Sequence, residues 1–425
     1  MVQLYGGEYR DNAASLFPPE LTEYVRVVSE MLIAGFPKFR PADHGSVNFA
    51  LVNHGSMNIR VHALEGGGRI IIMPVGILMR VYWIAHAVLE YWLDGPNMLV
   101  IGSPLDDLPS EWYEIIGPLK PLFAEYDNDS DFWTGMTALA PMIKRVEQNE
   151  DDVRSMTRIC FLFLFWHELA HLQLGHFGLR KNPMLKHWRE WMGVDEKEFE
   201  AGLESQADRF ASRTLIGMLV GEIMSKTEQG HGLERMFGLN KKERGRSLER
   251  IFNLATVGIM LMLGTFWPAK KFIAGYKGLG NQHPLVRREM IVQTIENELA
   301  EQDTTRAELW KRTELASWEQ VVWATNRMSM NAHQRYQTEG KITVAPLFSS
   351  LSYGSGYAFP FIEAHQRRAV YLLSAADGIL EKHNDALKGV PEGVDPDKFL
   401  EIRYKAVEEA VKQVEKTMRG LKKST

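Results

Sequence analysis

Residues 161–176 read Phe-Leu-Phe-Leu-Phe-Trp-His-Glu-Leu-Ala-His-Leu-Gln-Leu-Gly-His, and this stretch decides the fold that the sequence predicts. It contains the pattern HExxH, in which His167 and His171 are four positions apart. Side chains at i and i+4 lie on the same face of a helix, so both imidazoles can bind one metal ion from one side. Glu168 lies about 100° round the helix from His167. It can therefore face a water molecule without ligating the metal itself.

The residues on both sides of this pattern are apolar, which predicts a long buried helix over 153–176. Two histidines and a glutamate are costly in such a helix unless they find partners. A metal ion bound by His167 and His171 would be such a partner. The alternative is that both histidines are hydrogen-bonded residues of the core.

A second predicted helix, over 196–226, carries acidic residues that can supply a third ligand. Glu204 and Asp208 are four positions apart on one face of this helix. Glu204 is predicted to ligate the metal, and Asp208 can accept the free N–H of a ligating histidine. Glu200 and Asp208 are alternative ligands, and a solvated acidic face is the other interpretation. Because Cys160 is the only cysteine, any metal must be bound by histidine, aspartate or glutamate.

The two motifs together resemble those of a known family. HExxH followed by a downstream helix with ExxxD is the pattern of gluzincin metallopeptidases. The fuller motifs, at 167–176 and 204–211, resemble those of the HtpX-like and CAAX-prenyl peptidases, the ImmA/IrrE-like peptidases and the phage-exclusion peptidase Lit. The resemblance covers residues 55–95 and 155–225 and leaves both ends of the chain without an assignment.

This resemblance implies roles for individual residues. It implies Zn²⁺ bound by His167, His171 and Glu204. Glu168 is then the general base, and Asp208 holds one of the ligating histidines. These roles would make the chain a hydrolase with a catalytic zinc ion.

Two further histidines, His283 and His176, have weaker signals. His283 is followed by proline and resembles a His-Pro segment of the HtpX-like branch, in which a histidine stands near the developing oxyanion. The alternative is that His283 is an ordinary residue at the start of a helix. His176, beyond His171, is predicted to point elsewhere and not to ligate the metal.

The patterns along the chain predict an α+β fold that is mostly α-helical. Helices are expected at 21–35 and 77–93, in addition to the two that carry the motifs. Strand-like runs at 57–65 and 69–73, separated by three glycines, predict a β-hairpin. With the resemblance, these elements imply a zincin-like core with a small N-terminal sheet and two long metal-binding helices.

Three segments are predicted along the chain. Residues 1–150 would form an N-terminal α+β portion with the hairpin and a long connection over 103–152. Residues 151–300 would supply the metal-binding helices and complete one zincin-like domain with the preceding part. Residues 301–425 would form a helical C-terminal region, to which the sequence assigns no role.

Composition limits the classes of protein. The chain has 425 residues, 45% of them hydrophobic, which excludes wholesale disorder. Its net charge of −5 argues against a dedicated DNA-binding protein. The single cysteine excludes an internal disulfide framework, and with no secretory signal it predicts a cytoplasmic protein. The apolar segment Ile251–Trp267 is interpreted as a buried core helix, with a membrane span as the less favoured alternative.

The predicted function is that of a zinc endopeptidase. It would hydrolyse peptide bonds of protein substrates, with Glu168 assisting the attack of a metal-activated water. The expected partner is a protein or peptide substrate, and no nucleic acid is expected. The alternatives are a metal-binding regulatory or structural protein with little turnover, and a membrane-embedded peptidase.

Overall fold

The computed structural model describes residues 16–35, 46–65, 67–92, 122, 129–143, 150–224, 248–265, 284–335, 354–391, 394, 398–402, 404–406 and 409. Most of these residues are helical, and a three-stranded sheet lies in the N-terminal part of the sequence. The predicted α+β class with a helical majority is therefore confirmed.

The elements have the following bounds in chain order. The strands are β1 (Val47–Val52), β2 (Arg60–Ala63) and β3 (Arg69–Pro74). The helices up to the first motif are α1 (Pro19–Gly35), α2 (Val75–Trp92), α3 (Asp129–Leu139) and α4 (Glu150–Gln173). The later helices are α5 (His176–Lys181), α6 (Leu185–Trp191), α7 (Glu196–Met224), α8 (Leu248–Thr265), α9 (Pro284–Gln302), α10 (Thr304–Arg335) and α11 (Gly354–Leu387).

The sheet has the strand order β1-β3-β2. The predicted hairpin is confirmed, because β2 pairs antiparallel with β3 and Val61 faces Ile71. β1, which the sequence analysis did not predict, pairs parallel with β3 and places Phe49 opposite Ile71. A parallel neighbour is joined by a long connection, so no turn residues mark it in the sequence.

The first motif helix ends earlier than its apolar pattern predicts. α4 ends at Gln173, and Gly175 then adopts a left-handed conformation with φ 76°. Such a residue commonly closes a helix because glycine has no side chain to oppose positive φ. The prediction of one helix through residue 176 is therefore wrong, and His176 begins the separate helix α5.

The second motif helix, α7, begins where the sequence predicts. The backbone N–H of Asp195 donates to Oε2 of Glu198 at 3.1 Å. In return the backbone N–H of Glu198 donates to Oδ1 of Asp195 at 2.8 Å. This reciprocal pair is a capping box, which satisfies amides that have no partner within the helix.

The predicted long connection over 103–152 is only partly described. Its described residues include α3, which has the buried side chains Phe132 and Met136. A short 3-10 turn, Ala140–Met142, follows it. The long connection that the sequence predicts therefore contains regular structure in its described part.

The first compact unit takes its described residues from 1–168, 208–278 and 283–366. In its core, Phe49 of β1 packs on Phe161 and Phe165 of α4, with ring centroids 6.1 and 5.7 Å apart. Helices α2, α8, α9 and α10 pack on one another in the same unit. β3 ends at Pro74 and α2 begins at Val75, so the sheet leads directly into these helices.

The second compact unit takes its described residues from 169–207 and 367–425. Its apolar core is contributed by α5, α7, α11 and a residue two positions before α7. The buried members are Leu179, Val194, Phe199, Ala201, Leu203, Leu372, Ala375, Ala376, Ile379 and Leu380. Arg368 of α11 also donates from Nε to Oε1 of Glu198 on α7 at 3.1 Å. The three-segment division of the sequence stays a prediction.

The apolar segment Ile251–Trp267 lies mostly in α8, and its last two residues are outside the described part of the chain. From Ile251 to Leu263 every side chain except Asn253 is buried. This burial agrees with the interpretation of a core helix. No helix among the residues that the structure describes combines the length and apolar character needed to cross a bilayer.

Candidate metal centre

Two helices carry the side chains of the predicted site. α4 presents His167 and His171 one turn apart, and α7 presents Glu204. One nitrogen of each histidine and one carboxylate oxygen of Glu204 all lie within 4.8 Å of one another. Both histidines are buried, and Glu204 is half-buried. A group of this composition and spacing could hold a metal ion.

His167 is held through one of its two ring nitrogens. Its Nδ1 lies 2.8 Å from Oδ1 of Asp208, and both side chains are buried. A carboxylate is an acceptor only, so Nδ1 carries the proton and donates to it. Nε2 is then the nitrogen with a lone pair for a metal ion. The predicted contact between Asp208 and a histidine of the motif is present.

Asp208 is in turn held by Arg287 of α9. The guanidinium donates from Nε to Oδ2 and from Nη2 to Oδ1, both at 2.8 Å. Burial raises the pKa of Asp208, but Arg287 and His167 together lower that pKa below its usual range. The carboxylate therefore stays ionised and orients His167.

His171 is held by a second histidine. Its Nδ1 lies 2.8 Å from Nδ1 of His176, which is completely buried. Its Nε2 lies 3.5 Å from Oε1 of Glu204. In both motif histidines a neighbouring residue thus contacts Nδ1, which leaves Nε2 as the atom for a metal ion.

His176 has a role that the sequence analysis did not assign. It is outside the group of three, as expected, but it contacts the ring of His171. Burial first, and then the neighbouring His171 and Arg180, hold the pKa of His176 well below its usual range. A neutral imidazole has one donor and one acceptor nitrogen, so His176 can accept a hydrogen bond from His171.

The alternative ligands have other partners. Nη2 of Arg180 donates to Oε2 of Glu200 at 2.6 Å. Asp208 binds His167 and Arg287, as described above. The structure therefore brings Glu204, and neither alternative, into the group with the two histidines.

Glu168, the predicted general base, is half-buried and follows His167 directly on α4. It is not a member of the group of three. A carboxylate beside the group but outside it suits a proton acceptor better than a ligand. His283 lies outside the described residues, so its predicted role is not placed.

Arg287 contacts Asp208 and Gln206 lies beside His176, and the sequence analysis assigned a role to neither of them. Arg287 is 79 positions from its partner Asp208, and no spacing rule connects them. Gln206 was visible between Glu204 and Asp208 in the second motif, but a glutamine carries no metal-ligand signal. His176 had a usable signal, since a histidine after a glycine that ends the motif helix can turn back towards it.

Comparison of the chain with protein-family models, with curated proteins and with solved structures found no match. The assignment of a metal therefore rests on the donor atoms themselves. Two imidazole nitrogens and one carboxylate oxygen are a ligand set of catalytic zinc sites, in which a fourth position stays open. The buried histidines, each oriented through Nδ1, fit such an ion.

Proposed function

We propose that this protein is a zinc-dependent endopeptidase that hydrolyses peptide bonds of protein substrates. The observation that carries the proposal is the buried group of His167, His171 and Glu204, with Glu168 next to the first histidine. His167, His171 and Glu204 would hold the ion. Zn²⁺ at such a site acts as a Lewis acid towards a carbonyl group and lowers the pKa of water to about 7.

Glu168 is the residue that moves protons in this proposal. As a carboxylate it takes a proton from the attacking water, and as the acid it gives that proton to the leaving amine. Peptide hydrolysis needs both transfers, because an amide nitrogen leaves only when it is protonated. Asp208 and His176 keep the rings of His167 and His171 in the orientation that the metal requires.

The remaining parts of the proposal concern fold and location. We infer a zincin-like core in which α4 and α7 are the two metal-binding helices, by analogy with the gluzincin peptidases that the motifs resemble. The absence of a disulfide framework, with one buried cysteine at position 160, suits a cytoplasmic peptidase.

The test compares metal content and peptide hydrolysis in the wild type and in Glu168→Gln. Both proteins should bind about one zinc ion per chain. Turnover of unfolded protein substrates should fall by about 10²- to 10⁴-fold in the variant, the range expected for a lost general base. Glu196→Gln, which removes the same charge from an exposed position on α7, should keep full turnover.

Two outcomes would overturn the proposal. A wild type that binds zinc but hydrolyses no substrate in a broad peptide library would favour the regulatory or structural alternative. Equal turnover in the wild type and Glu168→Gln would remove the assigned role of Glu168, whatever the metal content.

A further inference from the structure

The second compact unit contains a series of neighbouring polar side chains that ends at His171. We propose that Asp377 of α11, acting through Gln206 and His176, fixes which nitrogen of His171 carries the proton and so presents Nε2 to the metal. These three are positioning residues. The inference rests on the metal site of the proposed function, and it gives α11 a part in that site.

The contacts run from the carboxylate of Asp377 to Nδ1 of His171. Nε2 of Gln206 donates to Oδ1 of Asp377 at 2.7 Å. Gln206 also lies close enough to His176 to influence the pKa of that ring. Nε2 of His176 and Oε1 of Gln206 are both buried, and neither has a hydrogen-bond partner of normal geometry among the described residues, so pairing the two atoms would satisfy both. Nδ1 of His176 then meets Nδ1 of His171 at 2.8 Å.

The carboxylate of Asp377 sets the direction of every hydrogen bond in this series of side chains. Asp377 can only accept, so the amide of Gln206 must face it with its NH₂ group. The carbonyl oxygen of Gln206 is then turned to His176 and requires a proton on Nε2 of that ring. Nδ1 of His176 becomes an acceptor, and His171 must carry its proton on Nδ1.

The result at the metal site follows from the tautomer of His171. With the proton on Nδ1, Nε2 has a lone pair and lies 3.5 Å from Oε1 of Glu204, on the side of the metal ligands. In the reverse direction, His171 would carry its proton on Nε2 and could not ligate an ion. That direction would also set the carbonyl oxygen of the buried Gln206 against the carboxylate of the half-buried Asp377, which is unfavourable because two acceptors then face each other.

Close packing of α7 on α11 makes the contact between Gln206 and Asp377 possible. A Cβ atom at Gly202 would lie 2.6 Å from the backbone oxygen of Leu372 and 2.9 Å from Cβ of Ala376. Only glycine at this position lets the two helices approach so closely. Gln206 follows Gly202 by one turn and Asp377 follows Ala376, so the contact lies beside this approach.

The burial of His176 and Gln206 also explains why only one arrangement of these hydrogen bonds is stable. His176 is completely buried and Gln206 is 1% exposed, so water cannot replace a lost partner without cost. In such a network only one arrangement gives every polar group a partner, and the carboxylate of Asp377 determines that arrangement.

The decisive experiment reads the tautomers directly in the metal-free protein. Long-range ¹⁵N–¹H NMR at a pH of about 8, where unperturbed imidazoles are neutral, distinguishes Nδ1–H from Nε2–H rings. We expect Nδ1–H for His171 and Nε2–H for His176 in the wild type. In Asp377→Leu and in Gln206→Met, His171 should become a mixture of tautomers. Asp377→Asn can face Gln206 with either its oxygen or its NH₂ group and should also give a mixture, whereas Asp377→Glu keeps a group that only accepts and should retain the wild-type pattern.

Metal affinity supplies the second readout. Competition with a chelator should show zinc binding about 10-fold weaker in Asp377→Leu and up to about 100-fold weaker in His176→Phe, the range for residues that orient ligands. His383→Leu is the matched control. It removes another buried hydrogen bond of α11, the 2.8 Å contact with Asn182, and should leave zinc affinity unchanged.

Each outcome decides the inference. A proton on Nδ1 of His176 in the wild type would overturn it, as would unchanged tautomers in folded Asp377→Leu and Gln206→Met. Equal loss of zinc affinity in His383→Leu would reduce the effect to general packing of α11. These readouts need no peptidase activity, so the proposed function can fail through Glu168→Gln while the inference stands.

Discussion

Two polar clusters in this protein each place a histidine beside a glutamate, but an arginine contacts a different kind of residue in each. In the first, Glu150 at the start of α4 is bonded by the hydroxyl of Tyr82 at 3.0 Å and by Nε of Arg154 at 2.8 Å. Nε2 of His86 lies 3.1 Å from its other oxygen. This cluster is complete in itself, because a cation from the protein already neutralises the carboxylate.

In the second cluster the arginine binds an aspartate, and the aspartate in turn binds the histidine. Arg287 binds Asp208, and Asp208 binds His167, so the positive charge stands behind a ligand. The three ligand atoms of His167, His171 and Glu204 converge within 4.8 Å. A cation among them would meet imidazole lone pairs and a carboxylate oxygen.

The position of the arginine therefore distinguishes a structural cluster from one that could hold a metal ion. An arginine bonded directly to the glutamate stabilises the folded chain and leaves no place for an ion. An arginine that holds an aspartate behind a histidine orients that histidine and raises its basicity as a ligand. The predictions below separate the two clusters experimentally.

The largest expected effect is the loss of metal on substitution of a ligand. His171→Ala should reduce bound zinc from about one ion per chain to near zero, because a catalytic site needs all three protein ligands. The measurement is metal analysis after purification without added zinc. His86→Ala, the matching change in the structural cluster, should keep its zinc but unfold about 1–3 kcal/mol more easily.

An outcome in which both variants keep their zinc would place the metal elsewhere or show that the histidines are core residues. Loss of zinc from His86→Ala while it remains folded would show that the two clusters are not separate in function. Circular dichroism of each variant identifies those that have simply unfolded.

A smaller effect is expected at the residue that connects arginine to histidine. Asp208→Ala should destabilise the protein by about 3–5 kcal/mol in urea unfolding, because it leaves Arg287 without its buried partner. Asp208→Asn keeps a neutral acceptor for His167 and should cost less. If adding Arg287→Met to Asp208→Ala recovers none of the stability, the charge pair is not the cause.

The smallest effect is a pH dependence confined to the structural cluster. Burial raises the pKa of Glu150, but hydrogen bonds from His86, Arg154 and Tyr82 outweigh it and lower the pKa to about 2. A folded-state pKa below the unfolded value means that the stabilisation is complete above about 4.5 and is lost as the pH falls towards about 2.

This dependence is measured by comparing the wild type with Glu150→Gln in urea unfolding at several pH values. The stability difference at neutral pH should be about 1–2 kcal/mol, reduced from the full shift by solvent screening of a partly exposed group. It should shrink as the pH approaches 3. A difference that stays constant with pH would show that the glutamate contributes through packing and not through its charge.

Much of the fold could be predicted because its signals are local. The helices over 21–35, 77–93 and 196–226 and the hairpin before α2 follow from periodicity, caps and glycines, and the structure has them close to the expected bounds. β1 was missed because β3, its partner among the described residues, pairs with it in parallel and leaves no turn signal between them. The end of α4 was placed too late because its apolar pattern continues beyond the glycine that closes the helix.

The candidate site likewise has one part that the sequence predicts and another that it does not. The sequence by itself determined which residues can bind a metal, since HExxH and the face shared by Glu204 and Asp208 depend only on the period of a helix. Only the tertiary structure decided how those ligands are held. Arg287 and Asp377 are 79 and 171 positions from the side chains they bind. Contacts over such separations come from the packing of helices on one another, and this packing leaves no periodic signal in the chain.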